Sequence, residues 1–391
     1  MPGVEVQATA FLNLLRGDWL RRWSPATEGA IICVVGFLLG AGLVRARPIA
    51  ATLLAAGALI LLGTAAFFLF SKKLIWFPWL IVAVQIVIAH AWSVITNAIQ
   101  LYVQKRLYEH TLGLYLSPKL VKKFARDPGF LKSGAEEQVI SIFFSDIVDF
   151  TAASQAMSNA ALTELMNRYF EVAVSDCIKK SDGTVVKYIG DAIFAFWNAP
   201  EPQSDHSARA CEAALHLISK TFIDTNGKTL RTRIGIHAGL ARVGNFGSSD
   251  RVDYTALGEN VNLASRLEGL NKYLGTECLI TRQTKEGTGD RFVTRFLGCF
   301  QLKGFDKPVE VYELIGWAEQ AEASRAWRES FAQALDNYHT RNLEFAEAGF
   351  RQTLELHPED GPSKLYLTRL DELRAQDLPD EWATHTIVRE K

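Results

Sequence analysis

The chain has 391 residues, with 42 basic and 43 acidic side chains and a formal net charge of -1. So even a balance excludes the basic excess of a nucleic-acid binder, and the length allows two or more domains. Five cysteines (Cys33, Cys177, Cys211, Cys278, Cys299) are scattered without CxxC spacing, so neither a zinc site nor a disulfide framework is indicated, and a reducing compartment fits the soluble part.

Residues 1–25 carry apolar positions at helical spacing and are too polar for a signal peptide. Charge then thins out: residues 27–70 hold only Glu28, Arg45 and Arg47. Three apolar stretches follow, Ala30–Val44, Ile49–Phe70 and Leu74–Ile95. The second and third reach the ~20 residues a bilayer requires, and the first does so with flanking residues from Ser24. Residues 26–96 therefore read as a three-helix transmembrane anchor with tight hairpins at 45–48 and 71–73. A helical hairpin buried in a soluble core is disfavoured, because three such runs exceed what a core of this size buries. Three spans put the two ends on opposite sides. Lys105, Arg106, Lys119, Lys122, Lys123 and Arg126 favour a cytoplasmic C-terminal part, against Arg16, Arg21, Arg22, Lys72 and Lys73 outside. A transporter is disfavoured because the spans lack interior acidic or basic residues, with His90 the one titratable exception.

Residues 97–138 predict a helix leaving the membrane, then a short helix and loop, with breaks near Ser117-Pro118 and Asp127-Pro128-Gly129. From 139 to 316 the pattern alternates. Strands are predicted at 139–145, 184–189, 192–197, 231–240, 277–281 and 309–315, and helices at 158–180, 205–222 and 259–272, giving a two-layer α/β domain. Residues 317–391 form a helical extension: Arg325–Leu356, running on to Asp360, reads as one tetratricopeptide-type pair packed on the preceding domain or a partner, followed by an extended tail of ~15 residues.

The chemistry sits at strand tips. The apolar run from Val139 ends at Ser145-Asp146, and the run Thr184–Ile189 turns over on Gly190-Asp191 into Ala192–Trp197. Two carboxylates held on strand ends are what a divalent-metal site needs when metal-bound phosphate is the substrate. Either aspartate alone would read as a turn residue. Asn262 and Arg266 stand four apart on a predicted helix and so share one face. His206 and His237 read as a helix-start and a strand-core residue, and Asp149 as a turn or capping residue.

Phe144-Ser145-Asp146-Ile147-Val148-Asp149-Phe150-Thr151, Lys187-Tyr188-Ile189-Gly190-Asp191 and Asp253-Tyr254-Thr255 through Asn262-Leu263-Ala264-Ser265-Arg266 resemble the catalytic domain of class III nucleotide cyclases, over about 139–315. The resemblance implies an α+β ferredoxin-like fold with a βαββαβ core, working as a homodimer with active sites at the interface. It places two Mg²⁺ or Mn²⁺ ions on Asp146, Asp191 and the backbone carbonyl of Ile147. Lys187 and Thr255 match the base-reading pair. An ammonium can only donate, which suits adenine, and threonine stands where aspartate is frequent, as in a bacterial subgroup that includes bicarbonate-responsive enzymes. Asn262 matches the ribose-orienting asparagine and Arg266 the transition-state arginine. Lys303 matches a lysine on the terminal phosphates, and Arg251 is a candidate to assist there. Asp149 departs from the glycine many members carry. Residues 1–25 resemble the last helix of an extracytoplasmic CHASE-type sensor. The resemblance thus implies an adenylyl cyclase in the inner (plasma) membrane, its catalytic domain cytoplasmic, converting ATP to cyclic AMP and pyrophosphate. A bicarbonate or protein regulator stays open, as do two rival readings: a guanylyl or mixed-specificity cyclase, and a catalytically silent signalling module.

Overall fold

The structure is a computed structural model that describes residues 3–131, 134–224, 227–248, 250–375 and 386–387. The chain divides into two units, Met1–Leu114 and Tyr115–Lys391.

The first unit runs α1 (Gly3–Arg16), β1 (Arg21–Arg22), α2 (Pro25–Arg45), α3 (Pro48–Lys73), β2 (Ile75–Trp76) and α4 (Trp79–Tyr115). Ser24 caps α2, its Oγ accepting from the Thr27 N–H at 3.2 Å, and Pro25 and Pro48 open α2 and α3 at positions where a missing N–H costs nothing. α2, α3 and α4 are long and apolar enough to cross a membrane. Most of their apolar side chains face outward: Phe37, Ile49 and Phe67 are 74, 79 and 73% exposed. Contacts between these helices centre on a small buried cluster of Leu43, Ala51, Ala55, Val82 and Ile86, and the Ser93 hydroxyl donates to the Leu43 carbonyl at 2.6 Å. The third apolar stretch starts later than its composition suggests. Leu74 ends α3 in the left-handed conformation (φ 55°), and Ile75–Trp76 then pairs in parallel with Arg21–Arg22, so the helix begins only at Trp79. It continues to Tyr115 with no break near residue 96. Every described side chain of α1 is at least partly exposed.

The second unit is built on a nine-stranded mixed sheet. After α5 (Pro118–Arg126) come β3 (Glu136–Ile147), α6 (Phe150–Gln155) and α7 (Asn159–Glu171), which runs into a π-helical stretch at Val172–Ile178. The hairpin β4 (Thr184–Ile189) and β5 (Ala192–Trp197) follows, then α8 (His206–Ile218), the short pair β6 (Phe222–Ile223) and β7 (Thr229–Leu230), and β8 (Thr232–Gly247). β9 (Val252–Leu257), α9 (Glu259–Leu274), β10 (Cys278–Thr281), α10 (Arg282–Glu286), β11 (Phe292–Gln301) and β12 (Val309–Trp317) complete the sheet layer. The central order is β8-β3-β5-β4, all antiparallel; β10, β12 and β11 extend it beyond β8, and β9 folds back on the C-terminal half of β8. β8 is longer than predicted because, past its pairing with β3, it gains β9 as a partner.

Both faces of the centre are buried. Phe143, Ile193, Ala195 and Trp197 pack beneath α7 and α8, while Ile140, Ile142, Phe194 and Phe196 pack on the other face with Leu120 of α5 and Val261 and Ala264 of α9. Successive strand residues point to opposite faces, so a strand covered on both reads as a continuous apolar run. The C-terminal layer has three helices rather than one pair: α11 (Ala321–His339), α12 (Leu343–Leu356) and α13 (Gly361–Ala375). The third forms because the Asp360 carboxylate accepts from the Ser363 N–H at 3.0 Å and caps it, and because Tyr366 and Leu370 are buried. Of the predicted tail, residues 376–385 and 388–391 lie outside the described residues, and Thr386–Ile387 forms a two-residue strand, β13, on β11.

Candidate active site

Asp146 occupies the last-but-one position of β3, opposite Arg233 of β8. Asp191 is brought alongside by the tightest connection in the sheet. Ile189 pairs with Ala192, leaving Gly190 and Asp191 as the whole turn, with Gly190 in the left-handed region (φ 67°) that glycine enters without steric cost. The Ile147 N–H donates to Asp191 Oδ2 at 3.2 Å, which ties the hairpin tip to the end of β3. Burial first, and then the adjoining Asp191, push Asp146 up to about 7, against the smaller pull of the Ile147 N–H and Arg233.

The donor set fits a small divalent ion. Two half-buried carboxylates at adjoining strand tips repel each other, and a cation between them would satisfy both. Mg²⁺ is commonly held by one or two carboxylates, with substrate phosphates completing its sphere. Among the described residues no group of three or more His, Cys, Asp or Glu forms a metal cluster, so Asp146 and Asp191 stand as a pair.

α9 is fixed at its start by Gly258 (φ 143°) and by Asn260. Asn260 donates to the Leu240 carbonyl at 2.8 Å and hydrogen-bonds His237 Nε2 at 3.0 Å. His237 is buried, with Nδ1 bound to Thr281 Oγ1 at 2.8 Å, and burial pushes its pKa down to about 4, so it is a neutral strand-core residue. His206 opens α8, its Nδ1 on Ser141 Oγ at 2.7 Å. Asp149 sits at φ 56° before α6, makes no side-chain cap and lies 4.0 Å from Lys228, which agrees with a turn residue.

Asn262 is exposed and Arg266 half-buried on α9. Two residues beyond Arg266 and so about 200° around the helix, Glu268 lies on the opposite side. Glu268 is a group beside the site that sequence reasoning missed, as is Arg233 opposite Asp146. Burial and then the charges of Asp146 and Asp191 raise Glu268 to about 7, with Arg233 opposing. Its only sequence signal is the position of Gly235, where a Cβ would lie 2.6 Å from the Ala264 carbonyl oxygen and 2.8 Å from Glu268 Cα. α9 therefore presents Glu268 to the aspartate pair of its own chain and turns Arg266 away from it.

The other predicted residues stay apart. Lys187 is exposed on β4, and Thr255, 5% exposed, lies on β9 with β5, β3 and β8 between them in the sheet. Lys303 is exposed on the β11–β12 loop, whose next residues Gly304–Pro308 wall a cavity of about 610 Å³ at the start of α9. Arg251 is largely exposed on the β8–β9 loop, 3.9 Å from Asp253. Among the described residues no hydrogen bond or ion pair joins Lys187, Thr255, Asn262, Arg266, Lys303 or Arg251 to Asp146 or Asp191.

Residues 133–316 match the family described as the adenylate and guanylate cyclase catalytic domain. Adenylate cyclase 1 of Rhizobium meliloti is 34% identical over 222 residues, 55% of this chain and 33% of that protein. The terminal-differentiation-specific adenylate cyclase of Dictyostelium discoideum is 34% identical over 245 residues, 59% of this chain and 11% of its own length. This chain thus spans a third or less of those two relatives. Among solved structures, the adenylyl cyclase CyaB from P. aeruginosa aligns at 31% identity and TM-score 0.42, covering 47% of this chain and 96% of that one. Residues 133–316 of this protein are thus similar to the catalytic domain of adenylate and guanylate cyclases.

Proposed function

We propose that the chain is a membrane-anchored adenylyl cyclase that converts ATP to 3′,5′-cyclic AMP and pyrophosphate in sites shared by two copies. The observation that carries this reading is the Asp146–Asp191 pair at adjoining strand tips. The β8-β3-β5-β4 order supports the ferredoxin-like βαββαβ core. In the reaction the ribose 3′-oxygen attacks the α-phosphorus, the bond from the α-phosphorus to the oxygen bridging to the β-phosphate breaks to release pyrophosphate, and the 3′-hydroxyl proton passes to solvent. Asp146 and Asp191, with the Ile147 carbonyl, would hold two divalent ions. When bound, these supply Lewis acidity at the 3′-oxygen and neutralise charge on the phosphates.

The chain's own residues do the rest. Lys187 donates to an acceptor nitrogen of the adenine, and Thr255 accepts from its amino group. Asn262 orients the ribose. The fixed fork of Arg266 contacts two oxygens of the α-phosphoryl as charge builds there, an interaction whose loss costs about 3 kcal/mol of barrier. Lys303 binds the terminal phosphates. Arg251 is a second candidate there, exposed enough to reach a ligand but already beside Asp253.

The opposed directions of Glu268 and Arg266 on α9 support a shared site. An Arg266 turned from its own aspartates is free to serve those of a second copy. α2 to α4 support a multi-pass location in the plasma membrane with a cytoplasmic catalytic domain, and the exposed α1 is consistent with a sensor helix preceding the anchor. Mixing Asp146→Ala and Arg266→Ala chains, each inactive alone, tests the shared site: one of the two sites of a mixed dimer has both sets intact, and activity returns. No recovery, with mixed dimers shown to form, would refute it.

A further inference from the structure

Helices α11 to α13 lie beyond the family match at residue 316, yet they share a core with the helix that carries Asn262 and Arg266. Leu267 and Leu274 of α9 belong to one buried cluster with Phe331 of α11, Phe350 of α12, and Tyr366 and Leu370 of α13. A cap that merely covered an apolar edge would need nothing more. Here three polar or steric constraints are added.

The first is ionic. Arg295 of β11, its side chain 3% exposed, contacts Glu313 at 2.6 Å and Asp360 at 2.7 Å, and its guanidinium lies 4.6 and 4.4 Å from the ring centres of Trp327 and Phe331. Asp360, 1% exposed at its side chain, also caps α13, so one carboxylate ties that helix to the sheet. A buried pair of this kind contributes geometry more than stability, and breaking it strands a charge. The second is the Tyr366 hydroxyl, which donates to the Leu297 carbonyl at 2.6 Å. The third is backbone on backbone: Gly361 abuts the end of α9, where a Cβ would collide with the Leu274 carbonyl and lie 2.9 Å from Gly275 Cα. Leu274 is eight residues from Arg266, about 12 Å along a rigid helix, so a displacement at the α9 C-terminus is carried to the arginine.

We infer that the C-terminal helices form a positioning arm of the active site, in which Asp360 and Gly361 fix the placement of α9 and so of Arg266 and Asn262. The inference rests on the cyclase reading given above. In the full-length chain Gly361→Ala should lower kcat at least tenfold with the ATP KM within about twofold, since small misplacements of a catalytic group cost up to about 100-fold in rate. Lys364→Gln, on the exposed side of α13, should leave turnover unchanged.

A second readout separates positioning from general damage. A Gly361→Ala chain keeps its aspartates and has a misplaced α9, so mixing it with an Asp146→Ala chain should restore activity, and mixing it with an Arg266→Ala chain should not. Recovery with the Arg266→Ala chain, recovery with neither, or wild-type turnover in both Gly361→Ala and Asp360→Asn would overturn the inference. If Gly361→Ala does not fold, Asp360→Asn undergoes the same mixing. Failure of the Asp146→Ala and Arg266→Ala control pair to recover would instead count against the shared site, and the kcat against KM split would then decide alone.

Discussion

Asp146 should make metal binding depend on pH in a range where an ordinary aspartate would not. Burial and the adjoining Asp191 raise it to about 7, so about a tenth of the groups are ionised at pH 6 and about nine-tenths at pH 8. A cation must displace the proton, and the half-saturating Mn²⁺ concentration should therefore be about tenfold higher at pH 6 than at pH 8, or about 1.4 kcal/mol. An aspartate near its usual 3.9 would give no change across this window. The assay is the electron paramagnetic resonance signal of free Mn²⁺ over the purified full-length protein, which needs no turnover, with Asp146→Asn as the control for other sites. Glu268→Gln removes one of the charges facing the pair and should move the break to lower pH. The same shift governs stability. A carboxyl whose folded pKa is raised contributes stability present below its unfolded value near 4 and lost as pH rises through about 7. The metal-free melting temperature should fall from pH 5 to pH 7.5, and saturating Mn²⁺ should reverse the fall. Equal half-saturation at pH 6 and pH 8 would refute the reasoning.

Lys187→Glu replaces a donor with an acceptor at the position proposed to read the base. ATP turnover should fall by more than tenfold while the ratio of GTP to ATP turnover rises, measured by product chromatography; an unchanged ratio would remove Lys187 from base recognition. Gly235→Ala places a methyl against the Ala264 carbonyl and Glu268 Cα, so denaturant unfolding should show about 1–3 kcal/mol of destabilisation; a neutral result would mean that α9 can move off β8 freely.

The aspartate pair was legible because its signals are local. Apolar runs ending at Ser145-Asp146 and turning on Gly190-Asp191 fix two strand tips before any tertiary contact is known, and the pairing of β4 with β5 follows from a two-residue turn. β11 was not legible, since Arg295 at its centre reads as an exposed charge and becomes buried only when Asp360, 65 residues later, arrives to pair with it. α13 was hidden for the same reason: Gly361-Pro362-Ser363 looks like a loop until Asp360 caps it. Glu268 looks like any helical carboxylate, and its environment is set by the packing of α9 on Gly235. Polarity changes near residue 97 while helix propensity does not, so the helix leaving the membrane continues the third span and runs to the break expected at Ser117-Pro118. For β11, α13 and Glu268 the missing information was a long-range partner, not a motif.

The most direct measurement is cyclic nucleotide formation by the purified full-length chain in membranes, with Mn²⁺ or Mg²⁺ and with ATP and GTP in parallel, beside an Asp191→Ala control. Cyclic AMP and pyrophosphate should form from ATP in equal amounts, GTP should be the poorer substrate, and Asp191→Ala should abolish both products. No cyclic product from either nucleotide, or product undiminished in Asp191→Ala, would contradict the assignment of Asp146 and Asp191 as the centre of a cyclase active site.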